Sequence, residues 1–122
     1  MPPLILVVDD DRAARAGLVE LLQAAGYTVT GAGTFEEATK ILATSTPDLL
    51  VADVRLAAFN GLHLLHRSRR THPRMASIVI SGYPDPAIEH DAQEAGASAF
   101  LIKPLDPQAF LARVAEVLAS RP

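Results

Sequence analysis

Short, wholly apolar runs alternate along this chain with longer stretches in which apolar residues recur every three or four positions. The two periods predict strands and helices in alternation. Leu4-Ile5-Leu6-Val7-Val8 is continuously apolar and stops at Asp9-Asp10-Asp11, as expected of a strand buried on both faces. Ala14, Leu18, Leu21, Leu22 and Ala25 then repeat at helical spacing as far as Gly26, which supplies a stop. Tyr27 to Thr30 predicts a second strand, and Thr34 caps a helix carrying Phe35, Ala38, Ile41 and Leu42. After Pro47 a third strand, Leu49 to Ala52, runs into Asp53. A helix is expected from Leu62 to Arg70 with Leu62, Leu64 and Leu65 turned inward. A strand follows over Ser77 to Ile80, then a helix over Ala87 to Ala95 closed by Gly96, and a fifth strand over Ala99 to Ile102. Asp106 or Pro107 opens a last helix whose apolar face holds Phe110, Leu111, Val114, Val117 and Leu118.

Five strands alternating with five helices predict an α/β domain, a doubly wound parallel sheet with helices on both faces, spanning residues 1–122 without a linker or repeat. In such a sheet every strand delivers its C-terminal end to one edge, and ligands bind where the strand order reverses. Asp9 and Asp10 follow strand one, Asp53 ends strand three, Ser81 ends strand four, and Lys103 with Pro104 ends strand five. With strands in the order 2-1-3-4-5, strands one and three are neighbours, so the three carboxylates are expected to share a crevice flanked by a hydroxyl and an ammonium.

Composition narrows the chemistry. The 122 residues are 49% hydrophobic and 20% charged, well outside the disordered regime, and a chain of this length buries about two-thirds of its unfolded surface. The absence of cysteine excludes disulfides, thiolate metal sites and cysteine nucleophiles, and fits a reducing cytoplasm. The longest apolar run, Leu4 to Val8, is far below the ~20 residues of a membrane span, so neither a membrane segment nor a signal peptide is expected. A net charge of -3 argues against nucleic-acid binding by the whole domain.

Three converging carboxylates repel unless a cation neutralises them, and a hard divalent ion with oxygen ligands, Mg²⁺, suits them best. An aspartate beside such an ion can attack phosphorus and form an acyl phosphate, with a lysine and a hydroxyl on the transferred oxygens. The ordered set Val7-Val8-Asp9-Asp10-Asp11, Asp53 with Gly61 eight residues on, Ser81-Gly82 and Lys103-Pro104 resembles the receiver domain of two-component response regulators. The resemblance covers essentially the whole chain and implies a flavodoxin-like (βα)5 fold. It implies that Asp53 accepts phosphate from the phosphohistidine of a sensor histidine kinase or phosphotransfer protein. It further implies that Asp9, Asp10 and Asp53, with the backbone carbonyl of Arg55, hold Mg²⁺. Ser81 and Lys103 would bind the phosphoryl group, and Ser81 with Phe100 would form the switch. A cis bond would precede Pro104, and helix four, strand five and helix five would address an output domain, a downstream effector or a second copy of the chain.

Two departures stand out. Ala57 lies four residues after the acceptor, where most receivers carry proline, so the loop into helix three loses a rigid element. Arg55 and Tyr83, two residues after the acceptor and the hydroxyl respectively, are large, and we expect them to impede an attacking water and slow autodephosphorylation. Asp11 reads as a carboxylate at a helix N-terminus and no more. His63, His66 and His72 accompany Arg67, Arg69, Arg70 and Arg74 on a solvated basic face, and Gly31-Ala32-Gly33 lacks the third glycine of a dinucleotide fingerprint. Two other readings fit the residues less well. A never-phosphorylated scaffold has no need to carry the acidic set, and a phosphatase of similar topology would need a second aspartate where Arg55 stands.

Overall fold

The computed structural model describes residues 1–54 and 61–121. Its elements follow in the order β1 (Leu4–Val8), α1 (Arg12–Ala24), β2 (Thr28–Ala32), α2 (Phe35–Thr44), β3 (Leu49–Asp53), α3 (Gly61–Thr71), β4 (Ala76–Ser81), α4 (Pro86–Glu94), β5 (Ala99–Ile102) and α5 (Pro107–Ser120). The strands form one parallel sheet, as the alternation predicts, in the order β2-β1-β3-β4-β5 on which the expected crevice depends.

Strand side chains alternate between two cores. Leu6, Val8, Leu50, Ala52 and Val79 point to the side covered by Phe35, Ala38 and Leu42 of α2, Leu64 and Leu65 of α3, and Ala92 of α4. Ile5, Val7, Leu49, Val51, Ile78 and Ile80 point to the other side, against Leu22 of α1 and Phe110, Val114 and Val117 of α5. A strand covered on both faces favours apolar residues along its length. The central strands β1 and β3 accordingly present their first polar groups, Asp9 and Asp53, at the C-terminal edge, whereas β4 buries Ser77 near its start and reaches that edge with Ser81.

Helix starts are set by side-chain caps. Asp11, Thr34, Asp85 and Asp106 each accept a hydrogen bond from a backbone N–H of the first turn. Gly26, at φ +100°, makes the left-handed turn after α1 that an L side chain would strain.

Two details differ from the sequence expectation. The second strand is Thr28–Ala32 rather than Tyr27 to Thr30, because all five residues of β1 pair with it, from Leu4 with Thr28 to Val8 with Ala32. In α1 Leu22 alone is fully buried, Leu18 and Leu21 are half-buried, and Ala25 is exposed. Helix α1 lies over β1 and the edge strand β2, so part of its apolar stripe overhangs the sheet.

The edge opposite the strand C-termini is tied together by Asp48. Its Oδ2 accepts from the Leu4 N–H at 2.8 Å and its Oδ1 from the Arg121 guanidinium, joining β1, β3 and the end of α5. Burial alone would raise the Asp48 pKa, but the Leu4 N–H and Arg121 outweigh it and hold the carboxyl below its ordinary 3.8. Asp48→Ala is expected to cost about 1–2 kcal/mol of unfolding free energy at neutral pH. Because the folded pKa is depressed, the contribution of the ionised group is complete above the ordinary value and is lost as pH falls through the lower one. Urea titrations across that range should show wild type and variant converge in acid. Among the described residues no helix is long and apolar enough to cross a membrane.

Candidate functional site

The central strands bring Asp9 and Asp53 to adjacent positions at the C-terminal edge of the sheet. Strand β1 pairs with β3 as far as Val8 with Ala52, so Asp9 and Asp53 are the next residues along the two neighbours. Both are buried, Asp9 to 2% exposure and Asp53 to 9%. Two carboxylates at such depth require a counter-charge. Lys103, arriving from the end of β5, supplies it, with Nζ 2.7 Å from Asp53 Oδ2 and 3.3 Å from Asp9 Oδ2.

The electrostatics follow from this geometry. Burial pushes the Asp9 carboxyl above its ordinary pKa, the Asp11 N–H and Lys103 offset part of that, and the neighbouring Asp53 pushes the same way as burial. For Lys103 burial works against the charge, but the hydrogen bond and attraction of Asp53, aided by Asp9, prevail and hold its pKa above the ordinary value. The cluster is a single ammonium shared by two acids, with negative charge in excess.

The remaining strand ends surround it. Asp53 pairs with Ile80, so Ser81 is one residue beyond the partner of Asp53 on β4. The Lys103 N–H donates to the Ser81 carbonyl at 2.8 Å, which fixes the two ends relative to each other. The Ser81 hydroxyl donates to the Tyr83 carbonyl and accepts from the Tyr83 N–H, both at 3.1 Å, a closed local turn. Phe100, paired with Val79, is half-buried and packs against the core on the α2–α4 side of the sheet. The Lys103–Pro104 bond is cis.

This edge, on this topology, is matched by a family model: the response regulator receiver domain model covers residues 5–115. The chain belongs to the response regulator receiver family. The receiver is 35% identical over 103 residues to the DNA-binding transcriptional regulator NtrC of Escherichia coli K12, a match spanning 84% of this chain and 22% of that protein. It is 35% identical over 118 residues to the response regulator MprA of Mycolicibacterium vanbaalenii, spanning 97% of this chain and 51% of that one. The chain thus spans from about a fifth to about half the length of these relatives. Its fold superimposes on the CheY-like receiver domain protein from Methanospirillum hungatei JF-1 with a TM-score of 0.94 at 29% identity, covering 98% and 95% of the two chains. A response regulator from Thermotoga maritima gives 0.90 at 28% identity, covering 98% and 100%.

Of the residues the sequence singles out, the receiver's structure joins Asp9, Asp53 and Lys103 by direct contact and sets Ser81 and Phe100 on the adjoining strands. Asp10 is different. The Asp11 N–H donates to Asp9 Oδ1 at 2.9 Å, and this tight turn leaves Asp10 exposed on the rim. The expectation that three carboxylates share one crevice is therefore met by two. Among the described residues no group of three carboxylate or imidazole side chains is gathered closely enough to hold a metal ion by itself. A hard cation that keeps several waters needs only one or two carboxylates, and the all-oxygen donors at this edge fit one. Arg55 and Ala57 lie outside the described residues.

Sequence reasoning misses Arg15. Its Nη1 donates to the Asp9 carbonyl at 2.7 Å, and its side chain runs along Gly31 and Gly33 of the β2 end. The signal is the pair of glycines beside a half-buried arginine, visible only once β2 is known to flank β1.

Lys103→Met should show how strongly the shared ammonium holds the folded state. Removing it leaves two buried acids facing each other, which is expected to cost about 1–3 kcal/mol. A lower urea midpoint at neutral pH, partly restored by millimolar Mg²⁺, is the expected result.

Proposed function

We infer that residues 1–122 form one receiver domain whose Asp53 carboxylate accepts a phosphoryl group. The donor would be the phosphohistidine of a sensor kinase or phosphotransfer protein, or a small acyl phosphate. The observation that carries this is the buried cluster of Asp9, Asp53 and Lys103 at the strand switch point of a chain in the receiver family.

Mg²⁺ would be held by Asp9, Asp10 and Asp53 with the Arg55 carbonyl, and when bound it supplies positive charge to oxygens on phosphorus. An Asp53 oxygen attacks phosphorus, the O–P bond forms as the P–N bond to the donor imidazole breaks, and the imidazole leaves with a proton from solvent. Lys103, already against Asp53, shifts its ammonium to a phosphoryl oxygen, which carries more charge than the carboxylate it leaves. Ser81 exchanges its bonds to Tyr83 for a hydrogen bond to the same group. Moving Ser81 pulls on the segment Ser81–Asp85 that leads into α4, and Phe100 occupies the space released beside β4. The α4–β5–α5 face thereby takes two states, the means by which a local charge reaches an output domain, an effector or a second copy of the chain.

The domain acts as a switch and catalyses only its own phosphorylation and dephosphorylation. Arg55 and Tyr83 prolong the phosphorylated state by crowding the path of water, Tyr83 standing 55% exposed at the edge of the site. The reading places the protein in the cytoplasm and gives this domain no direct contact with nucleic acid or membrane. The test is intact mass after incubation with acetyl phosphate. A gain of one phosphoryl group that requires Mg²⁺ and disappears with chelator is expected, and no gain in any condition sinks the assignment.

A further inference from the structure

The site is built on a backbone turn that has a guard of its own. Asp9 carries the buried carboxylate, and its backbone is restrained on both sides. Its N–H donates to the Ala32 carbonyl at 3.1 Å, and its carbonyl accepts from Arg15 Nη1 at 2.7 Å. The second bond fixes the plane of the Asp9–Asp10 peptide, and that plane sets the direction in which Asp10 leaves the chain. Asp10 is exposed, so the peptide plane does much of the steering.

Arg15 keeps this position because β2 makes room for it. A Cβ at Gly33 would stand 2.7 Å from Arg15 Nη1 and 3.3 Å from Cζ, and one at Gly31 would stand 3.4 Å from Cδ. The two glycines flank Ala32, the residue that receives the Asp9 N–H. One stretch of edge strand thus both pairs with Asp9 and leaves the lane in which the guanidinium lies.

We propose that Arg15, lodged between Gly31 and Gly33, is a positioning residue that presents the Asp9–Asp10 pair to a divalent cation. It touches neither the cation nor phosphorus and works through the Asp9 carbonyl. The inference rests on the function proposed above and extends it to residues that carry no carboxylate. Outer partners that orient a ligand commonly govern metal affinity by about 10- to 100-fold.

Calorimetric titration of MgCl₂ into the wild type, Arg15→Met, Arg15→Lys and Gly33→Ala tests it without reference to turnover. Arg15→Met is expected to weaken Mg²⁺ binding about tenfold or more. Gly33→Ala keeps the arginine but takes its space, and should weaken binding in the same direction. Arg15→Lys retains a donor and should lie between wild type and Arg15→Met. In acetyl phosphate reactions the Mg²⁺ concentration for half-maximal uptake should rise by the calorimetric factor, with a far smaller fall in rate at saturating Mg²⁺. A merely structural role would lower the urea midpoint without that split. Equal Mg²⁺ affinity in wild type and Arg15→Met overturns the role of Arg15 and leaves Asp53 as acceptor. Failure of the wild type to take up Mg²⁺ at all brings down the functional reading, and this inference with it.

Discussion

Asp53→Asn is expected to gain no phosphoryl group under conditions in which the wild type gains one, and to remain folded. The amide keeps the size and shape of the carboxyl but has no anionic oxygen to attack phosphorus, so the loss is of chemistry rather than of architecture. Its stability is the more informative half of the prediction. Removing one partner of a buried ion pair ordinarily strands a charge and costs several kcal/mol. Here Lys103 keeps Asp9 at 3.3 Å, and the repulsion between the two acids vanishes along with the Asp53 attraction. What remains is one ammonium against one carboxylate. The variant should lie within about 1 kcal/mol of wild type or above it, in contrast to Lys103→Met, which leaves both acids unneutralised. Intact mass and urea unfolding on the same samples check both halves. Phosphoryl uptake by Asp53→Asn equal to wild type would place the acceptor elsewhere.

The contrast between these variants depends on strand ends, and those were the most legible part of the sequence. A parallel strand buried on both faces carries few polar side chains and no charged one in its interior, so Val8-Asp9 and Ala52-Asp53 mark where the central strands end, and Ile102-Lys103 marks the end of the half-buried edge strand β5. Parallel topology then gathers such points at one edge whatever their separation along the chain. The fold class followed from that logic, and the Asp9–Asp53 neighbourhood followed from it once the strand order 2-1-3-4-5 was assumed. The exposed position of Asp10 did not, because it depends on a turn closed between Asp11 and Asp9 and on the Arg15 bond to the Asp9 carbonyl, neither of which strand periodicity contains. The sequence offers Lys103 as a partner for phosphate; in the structure it is shared by the two acids and offsets part of their charge. Arg15 is hard to read from sequence for a related reason. Its importance comes from space left by glycines on another strand, and a missing side chain has no periodic signature.

Gly61→Ala is expected to be the most damaging single methyl in the described part of the molecule. Gly61 opens α3, is buried, and donates its N–H to the Val54 carbonyl at 2.8 Å. A Cβ there would stand 2.2 Å from the Asp53 carbonyl oxygen, 2.9 Å from its carbon and 3.3 Å from the Ala52 Cβ. The obstacle is backbone, so no rotamer change relieves it, unlike Gly33, where the atoms in the way end a flexible arginine. Either α3 moves off the sheet, losing contacts of Leu64 and Leu65 with the core, or the end of β3 gives way. Overpacking of this kind costs about 1–3 kcal/mol, and a clash with main chain belongs at or above the upper figure. The second route also displaces Asp53, whose position relative to Lys103 at 2.7 Å and to Ile80 across the ladder is what makes it a candidate nucleophile. The variant should therefore lose stability and phosphoryl uptake together, and raising Mg²⁺ should not restore the rate, which separates it from Gly33→Ala. Urea unfolding and uptake from acetyl phosphate over a range of Mg²⁺ measure this. A Gly61→Ala protein that matched wild type in both would mean that helix α3 and the end of β3 are not held against each other as the structure places them.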